Sequence, residues 1–146
     1  MWFAALVQRA KLQVRLGWCR EAIQDWNKLR ELNPSHKDLG ASQDAQICSQ
    51  ALTVADQYVD KQQYATAREN LNTAVRYTEL AVFVYIRRAW VNLQLGDFYE
   101  CIADAGKALK IEGDNLEALE VRGRSYYILG EFDMAMNHFR KALQSD

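Results

Sequence analysis

The chain has 146 residues, 49% of them hydrophobic, enough to bury a core of single-domain size, and its one proline and seven glycines are too few for a turn-rich β protein. Eighteen Lys and Arg against nineteen Asp and Glu leave a formal charge of -1, which withholds the footprint of a nucleic-acid or anionic-membrane binder. No apolar run reaches the ~18 residues of a bilayer span, and Gln8, Arg9 and Lys11 break the apolar start before a signal-peptide core forms.

In chain order, the 3.6-residue period predicts helices over 3–15 and 20–32, joined at Leu16-Gly17-Trp18 and stopped by Pro34. The segment from Lys37 to Ile47 interrupts this pattern. Ser42 is placed there to cap a helix running from Gln43, so the helix over 43–60 is expected to be extended by a turn or two at its start; a disordered loop is the other reading. Further helices are predicted over 64–77, 82–94, 98–110, 116–128 and 132–144, and no segment sustains the alternation of a strand.

These helices recur in step. Leu95-Gly96-Asp97-Phe98 and Leu129-Gly130-Glu131-Phe132 lie 34 residues apart. Ala89 and Gly123 precede the two glycines by seven, Ala105 and Phe139 follow by nine, and Ala108 and Ala142 by twelve. Leu16-Gly17-Trp18 opens the same pattern, with Ala10 upstream and Ala22, Trp26 and Leu29 downstream. A weaker copy puts Gln62-Gln63-Tyr64 in place of the glycine turn but keeps Ala55, Ala67, Leu71 and Ala74. Small residues let two antiparallel helices approach, bulky ones fill the space to the next pair, and glycine supplies the left-handed turn. One such hairpin cannot bury its apolar face alone, so stability comes from stacking. The three cysteines, Cys19, Cys48 and Cys101, are far apart and odd in number, and no disulfide framework is expected from them.

This pattern resembles the tetratricopeptide repeat family over nearly the whole chain. The resemblance implies an all-α solenoid, a right-handed superhelix of four hairpins and about eight helices, with repeats at about 3–36, 48–81, 82–115 and 116–146 and an insertion at about 37–47. Gln62, Ala105 and Gly113 depart from the family pattern, which has Gly, a bulky residue and Pro there. The array over 1–146 is expected to be a piece of a longer one, because no polar capping helix closes it.

In such arrays the first helix of each hairpin lines a concave groove. The helical period places Val7, Lys11 and Val14 there, then Leu52, Asp56 and Val59, then Phe83, Ile86, Trp90 and Leu93, then Glu117, Glu120, Arg124 and Tyr127. The expected partner-binding residues are Val7, Leu52, Val59, Phe83, Ile86, Trp90, Leu93 and Tyr127, an apolar surface suited to an extended or helical peptide unless a neighbouring helix covers it. The carboxylate clamp that grips the acidic C-terminus of Hsp70 or Hsp90 in some family members is not matched. Its positions hold Val7, Lys11, Thr53, Phe83 and Arg87 in one register, and Leu52, Asp56, Arg87, Glu117 and Val121 in the other. Arg9, Arg88 and Arg122 each precede their hairpin's small residue. They form either an anion-binding row or, as favoured here, a set of packed stems whose heads find carboxylates such as Asp25 or Asp104.

Chemistry-bearing motifs are not found. His36 and His138 have no third ligand in register, and no phosphate loop, nucleophile elbow or helix-borne His pair occurs, so neither a catalytic role nor a metal or other cofactor is expected. A more particular resemblance lies in Leu32-Asn33-Pro34-Ser35 followed by the insertion, the Gly-less hairpin, and the stretch from Asp114 to Tyr127. Together these are similar to the DnaJ-type tetratricopeptide co-chaperones that inhibit the RNA-dependent protein kinase. That resemblance implies unfolded polypeptide clients, recruitment of the Hsp70 system through a J domain outside this chain, and the endoplasmic reticulum lumen. Animal members carry cysteines near the places of Thr78 and Val91 and this chain does not, so the cytoplasm is the alternative compartment; a generic scaffold for a multiprotein complex is the alternative function.

Overall fold

The computed structural model describes residues 2–144. Its helices are α1 (Trp2–Arg15), α2 (Cys19–Leu32), α3 (Ser42–Asp60), α4 (Tyr64–Val75), α5 (Val82–Gln94), α6 (Phe98–Ile111), α7 (Leu116–Ile128) and α8 (Phe132–Gln144). They form four antiparallel hairpins, each packed on the next in chain order. One cluster of buried residues runs through hairpins one and two to Val84 and Val91 of α5, and two smaller ones join hairpins three and four, as expected of hairpins that each bury their apolar face on a neighbour.

The four hairpin turns are one motif. Gly17, Gly96 and Gly130 take φ of 84°, 77° and 81°, and Gln62 takes 59°. In each, the N–H of the left-handed residue and the next N–H reach back to the helix end: Gly17 to Val14 and Trp18 to Gln13, Gln62 to Val59 and Gln63 to Tyr58. These paired bonds satisfy the last carbonyls of the helix. Stacking register thus places a non-glycine residue in a conformation that disfavours a Cβ. The small positions are as tight as the repeat requires: Ala10, Ala55 and Ala89 have no exposure, and a Cβ on Gly123 would sit 2.7 Å from the Phe139 ring. Trp26 and Leu71, at the bulky positions, are 1% exposed.

The insertion is ordered. A 3-10 turn at Lys37–Ala41 is capped by His36, whose Nδ1 accepts the Asp38 N–H at 3.1 Å, and α3 follows with 19 residues against 14 in α1. Extension of α3 is therefore observed, but Ser42 does not cap it. Ser42 lies inside the helix and its hydroxyl accepts from Arg30 Nη2 at 3.1 Å. A second correction concerns the cysteines. Cys19 on α2 and Cys48 on α3 form a disulfide, with Cα atoms 6.1 Å apart across a separation of 29 residues. Separation along the chain hid a pair that the packing of α3 on α2 makes adjacent. Cys101 stays a free, buried thiol, and burial pushes its pKa up.

The arginines pair within their own hairpins. Arg9 grips Asp25 with two bonds of 2.8 Å, and Arg88 grips Asp104 at 2.8 and 2.6 Å. Asn92 also donates to Asp104, and Arg68 of the second hairpin donates to Asn92 and Asp97, which ties two hairpins together. In hairpin four the carboxylate of this register is replaced by His138. Arg122 Nε is buried without a hydrogen-bond partner, and its guanidinium lies over Tyr126. The His138 ring also packs on Tyr126, and its Nδ1–H donates to the Met134 carbonyl at 2.8 Å. Burial, opposed by that bond and aided by the charges of Arg122 and Lys141, lowers the His138 pKa.

Two outcomes follow from these contacts. Cys19→Ser removes a cross-link closing a loop of about 30 residues and lowers unfolding free energy by about 3–4 kcal/mol in a urea titration. In denaturant without reductant, the unaltered chain titrates as one thiol rather than three. Because the folded His138 pKa is depressed, the unfolded chain takes up the proton first as pH falls below about 6.5, and stability drops from there toward the lower folded value. His138→Asp restores the pair seen in hairpins one and three; it adds about 1 kcal/mol at pH 7 and abolishes this histidine's acid-side loss, read from urea midpoints at successive pH values.

Candidate protein-binding groove

Helix α5 is apolar almost all round because it serves two surfaces. Val84, Tyr85, Ile86, Ala89, Val91 and Asn92 are buried against its neighbours. Phe83, Arg87, Trp90 and Gln94, at i, i+4, i+7 and i+11, form one stripe along the inner wall. Arg87 lies over the Phe83 ring at 4.9 Å and pairs with Asp56 of α3 at 3.5 Å. Arg124 of α7 lies over the Trp90 ring at 5.4 Å, with Glu120 at 3.8 Å. The wall is thus aromatic rings flanked by guanidinium groups rather than bare hydrocarbon.

Hollows adjoin this stripe. One of 280 Å³ parts α3 from α5 and is lined by Val59, Tyr64, Arg87 and Trp90, with Leu71 and Val91 at its back. One of 190 Å³ is shared by Leu52, Asp56 and Phe83 with Gly17 and Cys19 at the start of α2. The largest, 630 Å³, lies between the α1–α2 turn, the start of α5 and the α6–α7 loop, with Trp18, Phe83, Ile86 and Trp90 on its walls. Another, of 420 Å³, is formed by Leu93, Arg124, Tyr127, Ile128 and Phe139. Phe83 and Trp90 each border two hollows and make the surface continuous across α5.

The expected groove residues are distributed unevenly. Phe83, Trp90, Val59, Leu52 and Ile86 gather around α3 and α5, although Leu52 and Ile86 are themselves buried and supply only an edge. Leu93 and Tyr127 sit together at the far end, with Tyr127 62% exposed. Val7 corrects the face assignment for the first hairpin: at 3% exposure it is a core residue and borders none of these hollows. Sequence reasoning missed Leu16, Trp18 and Leu80. They reach the largest hollow because the first hairpin's turn closes on the α4–α5 loop, where the Leu80 N–H donates to the Arg15 carbonyl at 2.9 Å and Arg15 pairs with Glu79 at 2.6 Å. A tryptophan directly after the turn glycine was the available signal, and it is 52% exposed.

The model of the tetratricopeptide repeat matches residues 84–115 and 116–146. The DnaJ protein P58IPK homolog B of Oryza sativa subsp. japonica is 32% identical over 95% of this chain and 30% of its own length. The DnaJ homolog subfamily C member 3 of Gallus gallus is 28% identical over 99% of this chain and 29% of its own. The chain therefore spans under a third of these relatives. The crystal structure of the P58(IPK) TPR domain superposes with a TM-score of 0.89 at 26% identity, covering 99% of this chain and 41% of that one. The turn motif, the stacked hairpins and these matches agree: the chain is a tetratricopeptide-type solenoid, a protein-interaction architecture, and is similar to the TPR region of the P58IPK-type DnaJ proteins.

Proposed function

We propose that the inner wall of this array binds unfolded or extended polypeptide clients, as the client-binding region of a DnaJ-type co-chaperone. The observation that carries the reading is the continuity of the hollows across α5, with Phe83 and Trp90 partly exposed at their junctions. Apolar hollows that accept side chains at intervals suit a chain in extended form, and rings with charged neighbours allow contacts of moderate specificity. The proposed contact residues are Leu52, Val59, Phe83, Ile86, Trp90, Leu93 and Tyr127, with Trp18 added and Val7 removed.

The chain is read as a non-catalytic module. Hsp70 recruitment is assigned to a J domain outside it, as the similarity to DnaJ proteins supports. The disulfide between Cys19 and Cys48 supports an oxidising compartment, and with the DnaJ resemblance favours the endoplasmic reticulum lumen over the cytoplasm. Neither register of clamp positions supplies the required donors, and Arg87, which falls in both, is already paired with Asp56, which speaks against capture of an acidic chaperone C-terminus. No nucleic-acid partner is proposed, and among the described residues no helix is long and apolar enough to cross a membrane. The ion pairs laid over the aromatic stripe favour a second reading, a scaffold for one defined partner, because such pairs select among ligands.

Trp18→Ser combined with Trp90→Ser is expected to lower suppression of aggregation of a heat-denatured client by about threefold or more, as expected when aromatic anchors of a binding surface are truncated. Helicity by circular dichroism stays the same, since neither ring is fully buried. Undiminished suppression by a folded double variant would move client binding off this wall.

A further inference from the structure

We infer that the largest hollow takes an apolar polypeptide segment bearing a lysine or arginine at the end that faces the α6–α7 loop; the inference rests on the groove reading above. The hollow has a volume of 630 Å³, within the range of clefts that hold ligands (about 300–1,000 Å³). Its two ends differ chemically. Trp18, Val82, Phe83 and Trp90 make an apolar, largely aromatic wall. On the side of the α6–α7 loop, Glu112 and Glu117 line the hollow, both exposed, and neither forms an ion pair with a described residue.

The cation already present is committed elsewhere. Arg87 pairs with Asp56 at 3.5 Å and stacks on Phe83, which leaves the glutamates uncompensated. Glu112 also stands at the C-cap of α6, where unsatisfied carbonyls add partial negative charge. Glu117 lies in the first turn of α7. Lys110 occupies the last turn of α6 but does not line the hollow. A ligand whose apolar side chains enter the aromatic wall therefore meets two carboxylates at one end, and a cation there gains what a neutral residue does not and an acidic residue loses.

Three fluorescent peptides test this, sharing one apolar core of leucine, phenylalanine and serine and ending in two lysines, two serines or two glutamates. Anisotropy titrations at low salt are expected to show the lysine-ended probe binding about three- to tenfold more tightly than the serine-ended one, as two partly exposed ion pairs would supply, and the glutamate-ended probe most weakly. High salt narrows that spread. In the double variant Glu112→Gln with Glu117→Gln, the lysine- and serine-ended probes come within twofold while the serine-ended affinity is unchanged. Equal affinity for these two probes on the unaltered chain overturns the charge preference and leaves the groove reading standing. A preference that persists in the folded double variant overturns its assignment to these glutamates. Absence of binding by every probe overturns the groove reading, and this inference with it.

Discussion

The structure depends on how closely two helices of one hairpin can approach. At Ala10, Ala55 and Ala89 no surface remains, and at Gly123 even a methyl group would collide with Phe139. At the position of Phe139 in the first two hairpins, Trp26 and Leu71 are 1% exposed, so the close approach goes with a fully packed bulky side chain. An inner wall with hollows is the geometric remainder: first helices that diverge, as α3 and α5 do, leave space between them, while α5 and α7 meet.

Electrostatics follow the same register. Each Arg–Asp pair spans the two helices of one hairpin, and hairpins one and three carry both the arginine before the small residue and the aspartate sixteen residues on. Breaking a pair as buried as Arg88–Asp104, with side chains 16% and 4% exposed, would leave an uncompensated charge, whereas Arg9–Asp25 is wetter and matters less. Hairpin four lacks the carboxylate, and its arginine falls back on a tyrosine face. The fourth hairpin accordingly carries, in the carboxylate's place, a histidine whose pKa is lowered by burial.

Much of the fold was legible because turn chemistry and residue size carry it. Helix limits agree to within two residues because a left-handed turn marks the end of each hairpin's first helix, and Gln62 was recognisable from Ala55, Ala67 and Leu71 around it despite the missing glycine. The groove was half legible. Period places Phe83 and Trp90 on one stripe of α5, but the position ten residues before each turn, occupied by Val7, Leu52 and Ile86, faces the core at 3%, 8% and 5% exposure. Cys19 meets Cys48 where α3 packs on α2, and Trp18 reaches the hollow beside α5 where the first turn closes on the α4–α5 loop. These are contacts between residues 29 or more apart, made by tertiary packing, and no local spacing encodes them.

The claim that the open inner wall is the working surface is tested most directly by hydrogen–deuterium exchange on the chain with and without a permanently unfolded client. The account predicts slowed exchange over α5, the α1–α2 turn and the α6–α7 loop, with the outward helices α4 and α6 unchanged. Protection confined to α4, α6 and α8, with the α5 stripe unaffected, would contradict it.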